Sequence, residues 1–543
     1  EQNNLQSYYL RNALEYNKAF KDQDEQDKHT LKLFLGQEFR YTDRDNQSFD
    51  GYGYQFNRGG VVFTDPRIIE KVIADNAQYF DRSTGRERGV AFFSQASYGF
   101  RNRYILSGTL NYEGSNQLGR SRKARWLPTW NISGRWNVTN EHFLPATHAL
   151  SNLSFRLSYG LIAGLNNIGN ALPIMISTIT PRFRNQDNER LIRILSLQNS
   201  DLTWEKVYET NFGTDIGFLS NAISLSVDLY QKNSKDLLDI VRTSGMGGEM
   251  NKYANDASMT TRGVELVLDT RNFKTEDFTW STSVNFAYFK QEITSLANAS
   301  NSVFNLVRET GGNVLGNPRN TLYSYDFAGL NSQGMPLLNL KGGSRDYKDI
   351  DFQDRDNILS YLKKEGAVDP NITGGLSNTF RYKNWELNFL ITMQAGNKIR
   401  KAPLYKGAGY DDLSVFPREF KNRWVAPGDE ALTQIPGIVS QRTLNEENKA
   451  YISRAYSAYN HSTARVVDGS FVRMKSISLS YTFDKEVLEN LNLGNLTLRL
   501  QASNPFLIYA HKDLNGQDPE FFRSGGVAYP ITPQYTFTIN LGI

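Results

Sequence analysis

The sequence predicts an all-β chain, a transmembrane antiparallel β-barrel of which about fifteen strands are present. Three observations predict it. Apolar and polar residues alternate over stretches of about ten residues, no apolar run reaches membrane-helix length, and connections alternate between short and long. In a strand, successive side chains point to opposite faces. A barrel in lipid keeps one face apolar and the other polar toward its lumen. That reconciles 29 Tyr, 32 Phe and 7 Trp with a mean hydropathy of −0.51.

The pattern is clearest at the end of the chain. Tyr535, Phe537, Ile539, Leu541 and Ile543 alternate with Thr536, Thr538, Asn540 and Gly542. Leu153, Phe155, Leu157 and Tyr159 alternate with Ser154, Arg156 and Ser158, and Ile223, Leu225, Val227 and Leu229 with Ser224, Ser226 and Asp228. Trp385–Met393 and Leu496–Ser503 repeat it. Such segments, roughly eight to sixteen residues each, begin near Tyr8, Leu31, Phe92, Tyr104, Trp130, Leu153, Val207, Ile223, Gly263, Phe278, Thr373, Trp385, Val472, Leu496 and Tyr535. No stretch of comparable length carries a sustained 3.6-residue period, so the chain reads as all-β.

Short connections are expected at 21–28, 99–103, 218–222, 272–277, 382–384 and 484–495, with 137–152 somewhat longer. Long ones are expected at 46–89, 113–125, 160–203, 231–258, 290–371, 399–470 and 504–534. Outer-membrane barrels have short periplasmic turns and long extracellular loops, so the last strand runs inward and the C-terminus is expected in the periplasm. Counting back, the first strand also runs inward. Bacterial single-chain barrels have even strand numbers, so the expectation is the C-terminal part of a larger barrel.

Composition narrows the function. With no Cys, neither a disulfide framework nor a thiolate metal site is available. Lys and Arg number 61 against 57 Asp and Glu, which makes no case for nucleic acid. Glu1 opens no secretory leader, so the expectation is a leader already removed or a longer protein. His29, His142, His148, His461 and His511 are scattered without zinc spacing, and no nucleophile elbow or phosphate loop is present. Gly245-Met-Gly-Gly248 reads as loop chemistry. No enzyme is expected.

Several blocks resemble those of SusC-like TonB-dependent transporters. Asn199-Ser-Asp-Leu-Thr-Trp-Glu205 with Asn211-Phe-Gly-Thr-Asp-Ile-Gly217 is similar to the N-P-x-L-x-W-E…N-x-G-x-D-x-G block. Asp468-Gly-Ser-Phe-Val-Arg-Met-Lys475 resembles D-G-S-F-x-R-x-K. Gln501-Ala-Ser-Asn-Pro-Phe506 with Asp518-Pro-Glu520 resembles Q-N-L-F…D-P-E. Thr261-Arg-Gly-Val-Glu265, Arg423-Trp424…Pro427-Gly428 and Glu113-Gly-Ser115 add to it. The matches run in the family's order from about residue 100, whereas residues 1–100 match only in strand pattern. Two positions depart: Ile543 stands where barrels usually end in an aromatic, and Pro505 replaces Leu, a residue unable to donate to a ladder.

The resemblance implies a barrel of about 22 strands with an N-terminal plug, so the chain is expected to supply strands eight to the last, the plug and first strands being absent. It also implies outer-membrane import of a glycan or oligopeptide, with a SusD-like surface lipoprotein as lid, TonB acting through the absent N-terminal region, and lipid around the wall. The alternative is a structural or partner-binding subunit of an envelope assembly. Asn199, Leu202, Trp204, Glu205, Gly213, Asp215, Gly263, Glu265, Asp468, Gly469, Arg473, Asp518, Pro519 and Glu520 are expected to place strand ends, turns and interface aromatics rather than to do chemistry. Among the loop aromatics, Tyr405, Tyr410 and Trp424 are substrate-binding candidates, against the reading that large loops bury their own core. Asp349, Asp351, Asp354 and Asp356 alternate as carboxylates around Ca²⁺ do, but lack the shaping Gly of an EF-type loop, so a solvated acidic loop is the competing reading and no other cofactor is expected. Arg120, Arg122, Lys123 and Arg125 read as a solvated basic face, or a site for lipid phosphate or an anionic substrate.

Overall fold

All fifteen expected segments are strands in the computed structural model, and six of them, at 19 to 24 residues, run longer than the alternation alone suggests. The structure describes the chain except residues 22–26, 53, 56–58, 63–64, 76–79, 119–124, 165–173, 182–187, 197–198, 200–201, 243–250, 297–302, 341–342, 344–345, 351–357, 406–415, 441, 443–448, 490–492, 521–530 and 543. In chain order the strands begin with β1 (Gln2–Lys21), β2 (Asp27–Phe49), the short β3 (Tyr54–Gln55) and β4 (Val61–Val62), β5 (Phe80–Phe100), β6 (Tyr104–Ser115) and β7 (Trp126–Asn137). There follow β8 (Leu150–Gly164), β9 (Ile174–Pro181), β10 (Asn188–Ser196), β11 (Glu205–Phe218), β12 (Ile223–Arg242), β13 (Asn251–Lys274) and β14 (Phe278–Leu296). The short β15 (Thr321–Tyr325), β16 (Phe327–Leu330), β17 (Pro336–Leu338) and β18 (Leu362–Ala367) precede β19 (Ile372–Tyr382) and β20 (Trp385–Ala395). The last are β21 (Lys398–Arg400), β22 (Val466–Asp468), β23 (Phe471–Thr482), β24 (Asn495–Ala510) and β25 (Gln534–Gly542).

One sheet holds fifteen strands in the order β1-β2-β5-β6-β7-β8-β11-β12-β13-β14-β19-β20-β23-β24-β25. Skipping the short strands, that is chain order, the topology of an up-and-down barrel wall. The long strands consume much of what reads as loop: β2 and β5 take residues 46–49 and 80–89, and β12 and β13 take most of 231–258. Two compact units are distinguished, Glu1–Arg135 with Ser158–Glu209 and Lys235–Asp256, and Trp136–Leu157 with Thr210–Ser234 and Ala257–Ile543.

In the first unit, register shows why the alternation faces lipid. Leu14 pairs with Leu35, Leu10 with Phe39 and Tyr8 with Tyr41, and Leu35, Phe39, Phe92 and Tyr98 are exposed. The same face begins at a cluster of His29, Phe100 and Tyr98, reaches the Tyr8–Tyr41 pair (centroids 5.9 Å apart), then turns to charge with Asp43–Arg86 (3.1 Å) and Asp45–Arg82 (2.9 Å). From His29 to Tyr41 the strand rises about 40 Å at ~3.3 Å per residue. At a tilt of ~45° that height projects to roughly the apolar band of an outer-membrane barrel, with aromatic girdles at its two edges. The other face is polar. Tyr9 donates to Glu38 (3.0 Å), Arg40 donates to Glu38 through Nε (2.8 Å), and Arg40 reaches Glu113 (3.5 Å).

In the second unit the strands carry a folded loop body formed by the described residues of 303–368 and 397–470. It contains a helix, Lys449–Asn460, in a chain that is otherwise mostly strand; the first unit holds another, Pro66–Ala74. The Lys449–Asn460 helix buries Ile452, Ala455, Tyr456 and Tyr459, an i, i+3, i+4, i+7 face. Its apolar stripe is built from Tyr and Ala, whose low contrast with Ser and Arg hides the period. No described helix is long and apolar enough to cross a membrane.

Candidate functional site: inner wall and loop body

The Asn199–Glu205 block prepares the entry of β11. Asn199 Nδ2 donates to the Tyr253 carbonyl (2.8 Å), and Asn255 brackets Thr203, accepting from its N–H and donating to its carbonyl, both at 2.8 Å. Leu202 and Trp204 are buried, Trp204 Nε1 donates to the Arg125 carbonyl (3.3 Å), and Glu205 accepts from the Leu238 N–H (2.8 Å). These contacts fasten the entry of the strand.

Further along β11 the chain builds a charged cluster on the polar face. Asp215 accepts from Ser226 Oγ (2.8 Å), Ser154 Oγ (3.1 Å) and Arg156 Nη2 (3.2 Å), and the same Arg156 nitrogen lies 3.1 Å from Asp228. Gly213 makes room for it: a Cβ there would lie 2.5 Å from Asp228 Oδ1 and 2.8 Å from Arg156 Nη2. Gly263 serves likewise, its missing side chain leaving space for the Tyr230 ring, while Glu265 is exposed on β13. Arg156 and Asp228 lie outside the recognised motifs, and their positions in alternating strands were the available signal.

The loop body is organised by two arginines absent from the expected sites. Arg400, 3 % exposed, donates to the Tyr323 carbonyl (2.7 Å), Ser324 Oγ (3.0 Å) and the Ser462 carbonyl (3.1 Å). Burial pushes its pKa down to about 10, so it stays charged at neutral pH. Arg465, 1 % exposed, donates to Glu419 and to the Ala402 carbonyl, both at 2.7 Å, and Lys401 donates to the second Glu419 oxygen (2.8 Å). Burial alone would raise the Glu419 pKa, but the two cations hold it below the ordinary value.

The candidate contacts divide. Tyr405 is buried with Phe420, Val439, Ile452, Tyr456 and Tyr459, and its hydroxyl donates to the Pro436 carbonyl, so its place is in the core of the loop body. Trp424 is half-buried: its ring packs onto Gly334 and Gly437, and Nε1 donates to Glu430 (3.0 Å). Asp349 is exposed. Tyr410, Asp351, Asp354, Asp356, Arg120, Arg122, Lys123 and the Gly245–Gly248 run lie outside the described residues. Among the described residues no three His, Cys, Asp or Glu side chains group as a metal site.

The Asp468 block and the Asp518-Pro-Glu block meet. Asp468 accepts from the Ser470 N–H (2.8 Å) and Lys398 Nζ (3.1 Å); burial alone would raise its pKa, but Ser470 and Lys398 hold it low. Gly469 donates its N–H to the Asn397 carbonyl (3.0 Å) at a close approach that a Cβ would block. Arg473 Nη2 donates to Asp518 Oδ1 at 2.5 Å, and Glu520, one residue past Pro519, lies 3.4 Å from Arg473 Nε.

A family model described as "TonB dependent receptor-like, beta-barrel" matches residues 1–505. The chain belongs to this family. The match covers the first hundred residues too, where the sequence offered only strand pattern. The TonB-dependent receptor SusC of Bacteroides thetaiotaomicron is 25% identical over 520 residues, covering 92% of this chain and 47% of that protein. TonB-dependent receptor P39 of Formosa agariphila is 24% identical over 585 residues, covering 97% and 51%. Among solved structures, the RagAB peptide transporter superposes with a TM-score of 0.76 at 22% identity, covering 100% of this chain and 56% of that one. The chain therefore spans about half the length of the curated relatives it matches. The TonB-dependent family places it in the outer membrane, and the SusC-like resemblance holds.

Proposed function

We propose that this chain forms wall and outer loops of an importer that carries a glycan or an oligopeptide across the outer membrane. Import is driven through TonB, and a SusD-like lipoprotein closes over the loop body. The long connections face outward and the C-terminus lies in the periplasm. The family match over residues 1–505 carries the reading. It is supported by wall strands with one apolar and one polar face, and by a loop body with its own buried core. The SusC-like resemblance brings in both glycan and oligopeptide cargo. The likeness to a structure described as a peptide transporter keeps oligopeptides open.

The test is uptake by cells expressing the full transporter, given a fluorescent oligosaccharide mixture and a fluorescent hexapeptide mixture. One probe accumulates, and accumulation stops when TonB is deleted or the proton gradient is collapsed. Uptake of neither, or uptake indifferent to TonB, rejects the reading. Purification in mild detergent through a tag on the transporter retains a surface lipoprotein in about equal amount; its absence rejects the lid.

A further inference from the structure

β23 is irregular where it carries Arg473 and Lys475. Toward β20, Leu390 faces Ser476 and Ile391 faces Met474, leaving Lys475 extra. Toward β24, Asn504 and Pro505 fall between the pairs Ser476–Ser503 and Met474–Phe506, and a second shift follows at Val472/Arg473. Asn504 has φ +51° and Pro505 has no N–H, so both suit a bulge better than a ladder. Bulges re-aim side chains. Between these, Arg473, 2 % exposed, meets the equally buried Asp518.

Asp518 does more than pair. Its Oδ1 also accepts from the Glu520 N–H (3.0 Å), and its Oδ2 from the Ile531 N–H (3.5 Å). Lys475 lies 3.8 Å from the other side of Glu520. One carboxylate thus joins β23, the Pro519 turn and the approach to β25. Just upstream, Leu514 is buried among Leu322, Val368, Ile399 and Val467, which belong to the loop body.

We propose that Arg473 and Asp518 are positioning residues that clamp the β24–β25 connection and the loop body onto β23, and that transport requires the clamp while barrel formation does not. A desolvated pair holds strongly because removing one partner leaves the other charge buried and uncompensated. The strand ladder itself is already interrupted at this point and is carried by the pairs on either side.

The chain has no Cys, so a Cys introduced into it is its sole labelling site, and any Cys elsewhere in the full transporter is replaced by Ser. Lys512→Cys reports on the connection and Glu276→Cys, in a short turn, is the control; both positions are exposed. Asp518→Asn mobilises the label at 512 several-fold, leaves the label at 276 unchanged, and preserves the heat-dependent gel shift of a folded barrel. The swap Arg473→Asp with Asp518→Arg restores the immobile spectrum. An unchanged spectrum at 512, or loss of the gel shift, overturns the clamp. The transport arm rests on the importer reading. In cells that take up a probe, Asp518→Asn lowers uptake at least fivefold at equal membrane abundance, and parental uptake despite a mobile label overturns the link to transport. If the parent takes up neither probe, the importer reading fails and the spectra alone still decide the clamp.

Discussion

At the scale of single residues, buried charge and missing side chains are the sensitive points. Glu419 compensates both Arg465 and Lys401 in a site only 13 % exposed. Glu419→Gln is expected to lower loop-body stability by about 3 kcal/mol, since it leaves buried cations without their counter-charge. Limited proteolysis of the loop body against urea would measure it; a loss under ~1 kcal/mol would reassign the pair to the surface class. Gly396 is a different case. Its φ of +84° and the Asn371 Oδ1 that occupies the place of a Cβ both resist a side chain. Gly396→Ala is expected to cost about 2 kcal/mol by the same assay.

At the scale of elements, the loop body should respond to acid before the strands do. His461 is held neutral chiefly by burial, with nearby Arg400 adding to the effect against the Ser457 carbonyl it contacts. Its lowered pKa favours the folded state only while it is neutral, so stability falls as pH drops through its ordinary value near 6.5. Glu419, also lowered, contributes above its ordinary value of 4.5 and loses that contribution below it. Protease nicking within 399–470 should therefore rise between neutral pH and pH 5 and rise again below 4.5, with the barrel's gel shift unchanged. A flat profile would show that neither group couples to folding. The Lys449–Asn460 helix is the element most exposed to a packing defect: Tyr456→Ala, at a 1 % exposed site, should cost about 3–5 kcal/mol of loop-body stability.

At the scale of the whole molecule, the two faces of the wall should differ. Leu35 lies between the two girdles on the face read as lipid-facing, and Gln95 on the opposite face. Leu35→Arg is expected to destabilise the barrel in vesicles by about 2–4 kcal/mol, and Gln95→Arg by less than ~1 kcal/mol. Urea titration of refolding into lipid vesicles would read both. Equal costs would mean that the faces are assigned wrongly.

Much of this was legible in the sequence because strand alternation is local. A side-chain period of two needs no knowledge of the partner strand, so all fifteen wall strands and the family blocks could be read directly. Strand length could not, because β12 and β13 run on to 20 and 24 residues through sequence that reads as loop. The loop body was less visible still. Tyr405 looked like a ligand contact and is core, Arg400 and Arg465 carry no motif and are buried, and a helix hid in Tyr and Ala. Each depends on what another segment, tens of residues away, places beside it. The sequence by itself determined the wall and its family, through periodicity and motifs. Only the tertiary structure decided which charges are buried together, because desolvation depends on neighbours brought in from distant parts of the chain.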